Sequence, residues 1–184
     1  MKKVVFLLCL LVLVAPVLSA GDLSIFGAWW SEKDPGDVYG LGFRLTGQEG
    51  PWAADLTVTW LDDSTYSDYW PGRDGYYRQD MQTVPVELGI RYIADTYRAF
   101  RPYGGGGFGY YFNDSDWARV DDSWGFYALV GFNWGNRNTF DFFAEGIYRW
   151  VDTDVKVADP VAGDQRFDAD LGGFGINMGV VIHF

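Results

Sequence analysis

The stretch Ser123-Trp124-Gly125-Phe126-Tyr127-Ala128-Leu129-Val130-Gly131-Phe132-Asn133-Trp134 carries an apolar residue at every even position and a tryptophan at or next to each end. Period two is the mark of a β-strand with two unlike faces. Working outward, the same rhythm recurs in eight segments near 22–31, 37–46, 52–61, 81–93, 101–112, 123–134, 139–151 and 171–184. An even number of such segments, separated by polar or Gly/Pro-rich connections, suits a closed antiparallel meander.

One parity of each clear segment is apolar: Tyr39, Leu41, Phe43 and Leu45 in the second, Leu56 and Val58 between Trp52 and Trp60 in the third, Val86, Leu88 and Ile90 in the fourth. The seventh runs Phe140, Phe142, Ala144, Gly146, Tyr148, Trp150, and the eighth Phe174, Ile176, Met178, Val180, Ile182, Phe184. The first and fifth are ambiguous, with Ile25 and Trp29, and Phe108, Tyr110 and Phe112, assigned outward. The opposite parity carries Arg44, Asp55, Thr57, Glu87, Arg91, Asp141, Glu145, Arg149 and Asn177, interleaved with glycines.

Two features place lipid on the apolar side. Aromatic residues bound the apolar rows at Trp52 and Trp60, Trp124 and Trp134, Phe140 and Trp150. Ten residues at ~3.3 Å rise and ~40° tilt project to about 25 Å, the height of an outer-membrane apolar band with its aromatic girdles. The connections also alternate, short at 47–51, 94–100 and 135–138 and long at 62–80, 113–122 and 152–170, which puts both termini on the periplasmic side.

Residues 1–20 read as a secretory leader: Lys2 and Lys3, a 12-residue apolar run from Val4 to Ala15, then Leu18-Ser19-Ala20 as the cleavage site. The run is too short to span a membrane as a helix. Cys9 leaves with the leader, so residues 21–184 hold no thiol for disulfide or metal chemistry. The expected fold is therefore all-β, an eight-stranded antiparallel up-and-down transmembrane β-barrel over 21–184 in the bacterial outer membrane.

Charge separates the two ends of that barrel. Without the leader the chain has 25 acidic and 12 basic residues. Segments 31–37, 62–80, 113–123 and 152–170 hold 18 of the acids and six of the bases, so nearly all the net negative charge lies on the extracellular side. Nucleic acid is excluded as a partner by that balance. Clustered carboxylates such as Asp62-Asp63 and Asp121-Asp122 suit a divalent cation shared with lipopolysaccharide phosphates, or simply a solvated surface. Tyr66, Tyr69, Trp70, Tyr76, Tyr77 and Trp117 suit contact with an extracellular protein.

Three stretches resemble the small OmpA/OmpX-type outer-membrane β-barrel proteins. They are Arg101-Pro102-Tyr103 with Gly104 to Gly107, Gly109 and Tyr110; Phe143-Ala144-Glu145-Gly146-Ile147-Tyr148-Arg149; and Gly179-Val180-Val181-Ile182-His183-Phe184. The resemblance implies the barrel strongly and a function weakly, because such barrels serve many roles. It also implies that Phe184, with Ile182 and Val180 before it, is the assembly signal read by the barrel-insertion machinery.

Inside the wall, Arg44, Asp55, Glu87, Arg91, Glu145 and Arg149 are expected to form a lumenal charge network, with Asp22 and Asp141 near the periplasmic rim as the only other interior charges. An eight-stranded barrel is just wide enough for side chains to fill, so the network reads as a plug in preference to a gate or ion path. No cofactor or metal motif is present: the glycines at 104–107 lack the Lys-Ser/Thr and helix of a phosphate loop. His183, the sole histidine, stands at the periplasmic end, far from where a lipid-modifying enzyme of the outer leaflet needs its base. The expected function is thus non-enzymatic, structural or surface-interacting, with a narrow pore or a lateral path for small apolar solutes as the alternative.

Phe184→Ala is expected to impair assembly more than Met178→Ala, which removes a comparable apolar side chain within the same strand. Folded-band fractions on unheated gels measure this, and equal folding of the two variants would remove the special role of Phe184.

Overall fold

The computed structural model describes residues 21–32, 37–63, 81–94, 98–115, 119–137, 139–159 and 163–184. The leader assigned to 1–20 and residues 64–80, with most of the loop aromatics, lie outside them. Ten strands occur: β1 (Gly21–Glu32), β2 (Asp37–Glu49), β3 (Trp52–Asp63), β4 (Met81–Ile93), β5 (Phe100–Ser115), β6 (Arg119–Val120), β7 (Ser123–Trp134), β8 (Phe140–Asp159), β9 (Gly163–Asp170) and β10 (Gly173–His183). Eight form the wall, in the ring β1-β2-β3-β4-β5-β7-β8-β10. Every neighbouring pair is antiparallel, and β10 closes on β1 from Asp22↔His183 to Glu32↔Gly173.

Chain chemistry explains the joints. Glu49 pairs with Trp52, so Gly50 and Pro51 make a two-residue hairpin turn in which Gly50 takes φ 59°. Such turns need a residue at home in the left-handed region at that first position. In the wall the two parities separate, with Leu56 and Val86 the outward residues that their neighbours Leu45, Val58 and Phe112 cover. Leu41, Phe126 and Val130 are 66%, 68% and 69% exposed, while inward Phe143 and Glu87 are 3% and 1%. Ile25 and Phe108 are exposed, whereas Phe26, Trp30, Tyr103 and Tyr111 are buried, which settles the facing of β1 and β5 as assigned. Interior rings fit only over glycine. A Cβ at Gly89 would lie 2.0 Å from the Tyr127 hydroxyl, and one at Gly42 would lie 2.2 Å from the Phe26 ring.

The connection expected at 152–170 is not an irregular loop. β8 runs on to Asp159 and pairs with β9 from Asp152↔Asp170 to Asp159↔Gly163, while β6 pairs on its other side. The apolar alternation that marks the strand below stops there: outward Trp150 is followed on the same parity by the exposed Asp152. Between β6 and β7 the Asp121 carbonyl accepts hydrogen bonds from Thr153 Oγ1 at 2.6 Å and Asn113 Nδ2 at 3.2 Å, tying the extension to the rim.

One place in the wall is incompletely laced. The β3–β4 ladder pairs Val58 with Val86 and Leu61 with Thr83, but Thr59 and Trp60 have no partner there. The register sets them opposite Pro85 and Val84, and proline has no N–H to give.

Val58→Arg, on the lipid-facing parity of β3, is expected to cost roughly 2–4 kcal/mol near the bilayer midplane, whereas Thr57→Ser on the opposite face is tolerated. Equilibrium unfolding from lipid vesicles reads both, and wild-type stability of the Val58→Arg protein would reverse the assigned facing.

Candidate functional site: the lumen

Inward parity brings the six charges predicted for the interior into a single column of buried residues. They pair as Arg149 with Glu87, Arg44 with Glu145, and Arg91 with Asp55. The first two pairs join strands that are not neighbours in the ring, so they cross the lumen. Arg91 and Asp55 stand on adjacent strands.

Nearest the extracellular end, Arg149 donates through Nε to Glu87 Oε1 at 2.8 Å and through Nη2 to Oε2 at 3.3 Å. The Tyr111 hydroxyl donates to the same carboxylate at 3.0 Å, and the Arg149 guanidinium lies 4.8 Å from the centre of the Trp30 ring. In the middle, Arg44 grips Glu145 with two nitrogens, one at 2.9 Å, and holds Thr57 Oγ1 at 3.2 Å through Nε. Glu145 also accepts from the Tyr103 hydroxyl and from Asn177 Nδ2, each at 2.8 Å. Below it Arg91 binds both oxygens of Asp55, one at 2.8 Å, and Thr46 Oγ1 donates to Asp55 at 2.7 Å. The Arg91 guanidinium stacks over Tyr103 at 4.6 Å.

The periplasmic floor corrects one expectation. Arg101, not counted among the interior charges, is buried and paired with Asp141. Its parity on β5 follows from Phe108 facing out, but a run of glycines between them hid the alternation. His183 bridges two acids there, with Nδ1 at 2.7 Å from Asp22 and Nε2 at 2.8 Å from Asp141. Three wall strands are thereby joined at the base of the closing seam.

Above the ion pairs the lumen is mixed. Trp30, Val38, Leu61, Tyr111, Val151 and Leu171 belong to a buried cluster that also holds Phe26, Phe143 and Val181 lower in the wall, and Thr83, Asn113, Ser123 and Thr153 are buried at the extracellular level. Thr59, on the incompletely laced stretch of β3, is fully buried and its Oγ1 has no hydrogen-bond partner among the described residues. No group of three His, Cys, Asp or Glu among the described residues is arranged to hold a metal ion. The girdle residues Trp52, Trp60, Trp124, Trp134, Phe140 and Trp150 are all exposed on the outer wall. Phe184 is exposed and Ile182 lies on the outer parity beside it. An apolar band of this extent facing outward marks a surface that lipid covers.

Known structures share this architecture. The chain is similar to outer membrane protein OprG from Pseudomonas aeruginosa, with TM-score 0.71 and 22% identity over 90% of this chain and 96% of that one. It is similar to AlkL, determined in lipid bilayers, with TM-score 0.59 and 17% identity over 90% of each chain. The Neisserial surface protein NspA matches with TM-score 0.58 and 14% identity over 89% of this chain and 96% of that one. No protein-family model matches the chain, and no curated protein matches it. The fold is that of the small eight-stranded outer-membrane barrels.

Removing one partner of a buried ion pair strands the other, at about 3–5 kcal/mol, whereas removing both can be nearly neutral. Glu87→Gln and Arg149→Met are each expected to destabilise the barrel, and the double variant to recover part of the loss. Urea unfolding of the cycle gives the coupling, and strictly additive losses would mean that the two groups do not interact in the folded barrel.

Proposed function

We propose that the chain is an integral protein of the bacterial outer membrane, exported by the leader at 1–20, that works without catalysis in a structural or surface-contacting role. The observation that carries this reading is the filled lumen. Three buried ion pairs are stacked above the Arg101–Asp141–His183 floor, so an aqueous path from end to end would have to break several buried pairs. The role then falls to what projects outside: the acidic extracellular segments and the β8–β9 hairpin that extends beyond the wall. Its partners in this reading are the lipid bilayer, lipopolysaccharide, the insertion machinery that reads Phe184, and an extracellular protein or divalent cation at the acidic segments.

A second reading draws on a different observation. Pro85 leaves the wall unlaced beside Thr59, just above the level of the Arg149–Glu87 pair. A seam there would let a small apolar solute pass from the extracellular mouth sideways into the membrane without crossing the ion pairs.

In planar bilayers the wild-type protein is expected to show no steady conductance, and its expression to leave the mass of lipid A unchanged. A steady ohmic channel, or a modified lipid A, would overturn the first reading. Liposome uptake of a small apolar solute tests the second: faster uptake than in protein-free liposomes, slowed by Pro85→Val, would replace the first reading by the second. Equal rates in all three preparations would remove the seam from consideration.

A further inference from the structure

The base of the closing seam holds the chain's sole histidine between two carboxylates. On β10 the exposed Ile182 and Phe184 face outward, so His183 shares the inner face with buried Val181. Asp22 of β1 stands directly opposite His183, and Asp141 of β8 stands opposite Val181. The two acids therefore reach the ring from the two strands that flank β10.

The geometry specifies the protons. His183 Nδ1 lies 2.7 Å from Asp22 Oδ1, and Nε2 lies 2.8 Å from Asp141 Oδ2. An ionised carboxylate only accepts hydrogen bonds, and a neutral imidazole has a single N–H to give. Both contacts are hydrogen bonds only while the ring carries two protons. The charges around it agree. β5 supplies Arg101, paired with Asp141, so two acids meet two cations when His183 is imidazolium and one cation when it is neutral. From the turn between β7 and β8 the Arg137 amide donates to Asp141 Oδ1 at 3.1 Å, while its guanidinium reaches away to Gln48. The next charges up the lumen, Arg91 and Asp55, are bonded to each other.

The two acids depend on the ring unequally. Asp141 is fully buried and keeps Arg101 and the Arg137 amide whatever the ring does. The Asp22 carboxylate, only 17% exposed, accepts its one hydrogen bond among the described residues from His183. Whichever nitrogen gives up its proton, a lone pair then faces a carboxylate oxygen at under 3 Å. This falls where the backbone lacing runs out. Asp22↔His183 is the last pair of the β1–β10 ladder, and on the other side the His183 amide donates to the Thr139 carbonyl at 3.1 Å.

We propose that His183 is a proton-operated clasp on the closing seam. With two protons it locks the periplasmic ends of β1 and β8 to β10, and on losing one it lets that end of the seam fray. The clasp needs only the closed barrel, so it goes beyond the structural role proposed above and does not rest on it. Carboxylates ordinarily ionise near pH ~4 and imidazole near ~6.5, while guanidinium stays charged, so between about pH 5.5 and about pH 8.5 the change of charge belongs to the imidazole. The lock holds at the acid end of that window and is lost as pH rises. Fraying is confined to the floor, because the three ion pairs above it carry no group that titrates there.

The test uses the full protein in nanodiscs without a histidine tag, so that His183 gives the one imidazole signal. Nitrogen NMR is expected to show both ring nitrogens protonated at about pH 5.5 and one of them bare at about pH 8.5. Hydrogen-exchange protection, taken relative to the unstructured rate at each pH, is read at the His183 amide and at mid-wall Leu129. Over the same window protection at His183 is expected to fall at least about tenfold while that at Leu129 stays level. His183→Gln, which cannot titrate, is expected to remove the pH dependence. Asp22→Asn, which leaves the ring in place and removes the acid that depends on it, is expected to shrink it, and serves if His183→Gln does not fold. A ring with a single protonated nitrogen throughout overturns the clasp. So does wild-type protection at His183 that stays level with pH, or that falls as steeply in the two variants.

Discussion

Hydrocarbon offers no partner to a backbone N–H or C=O, so a sheet that crosses it has to supply every hydrogen bond from within. That requirement closes β10 on β1 here and forbids an edge. Closure at eight strands in turn leaves an interior about as wide as the side chains that fill it. The chemistry of the lumen follows from this narrowness. Charges pointing inward have neither water nor room to avoid one another, so they are stable only as hydrogen-bonded pairs, and Glu145 accepts from Arg44, Tyr103 and Asn177 together. Glycines such as Gly89 are the complement of that filling, since the Tyr127 side chain can reach past β5 to β4 only where no Cβ stands.

The interior is filled along its whole axis. At the periplasmic end Arg101, Asp141, His183 and Asp22 tie the base of the seam together. Three ion pairs follow, and above them Trp30 and Leu61 stand at the level of buried Thr83 and Asn113, which hydrogen-bond to each other. The interruption in the β3–β4 lacing falls between the Thr57↔Glu87 and Leu61↔Thr83 pairs, just above the Arg149–Glu87 ion pair. There proline takes away a backbone donor, and the buried Thr59 hydroxyl on the partner strand has no hydrogen-bond partner among the described residues.

Parity made most of this legible in the sequence. In a strand every second residue shares a face, so Leu41 and Phe126 could be assigned outward and Glu87 and Arg149 inward from spacing alone. Partner choice could not be read in that way. Arg44 and Glu145 are 101 residues apart, and whether they meet depends on the stagger of eight strands, which no local pattern encodes. Arg101 was missed because the glycines after it carry no parity signal. The β8–β9 hairpin was missed for a different reason. The strand runs on past Trp150, but with Asp152 exposed and Thr153 buried it no longer carries the apolar outward parity that lipid demands a few residues below.

β8 carries that change within one unbroken strand, and it explains why the extracellular part of the molecule need not be stable by itself. A two-stranded hairpin is marginal in water, and the register of this one sets Asp152 opposite Asp170 and Lys156 opposite Arg166. It holds because its register is inherited: once Arg149 is locked to Glu87 across the lumen and paired with Gly173 in the wall, the positions of Asp152 and Lys156 against β9 follow. The ion pair beneath the rim and the hairpin above it are thus parts of one mechanical unit: burial of Arg149 fixes the strand, and the strand fixes which residues of β8 and β9 stand opposite one another.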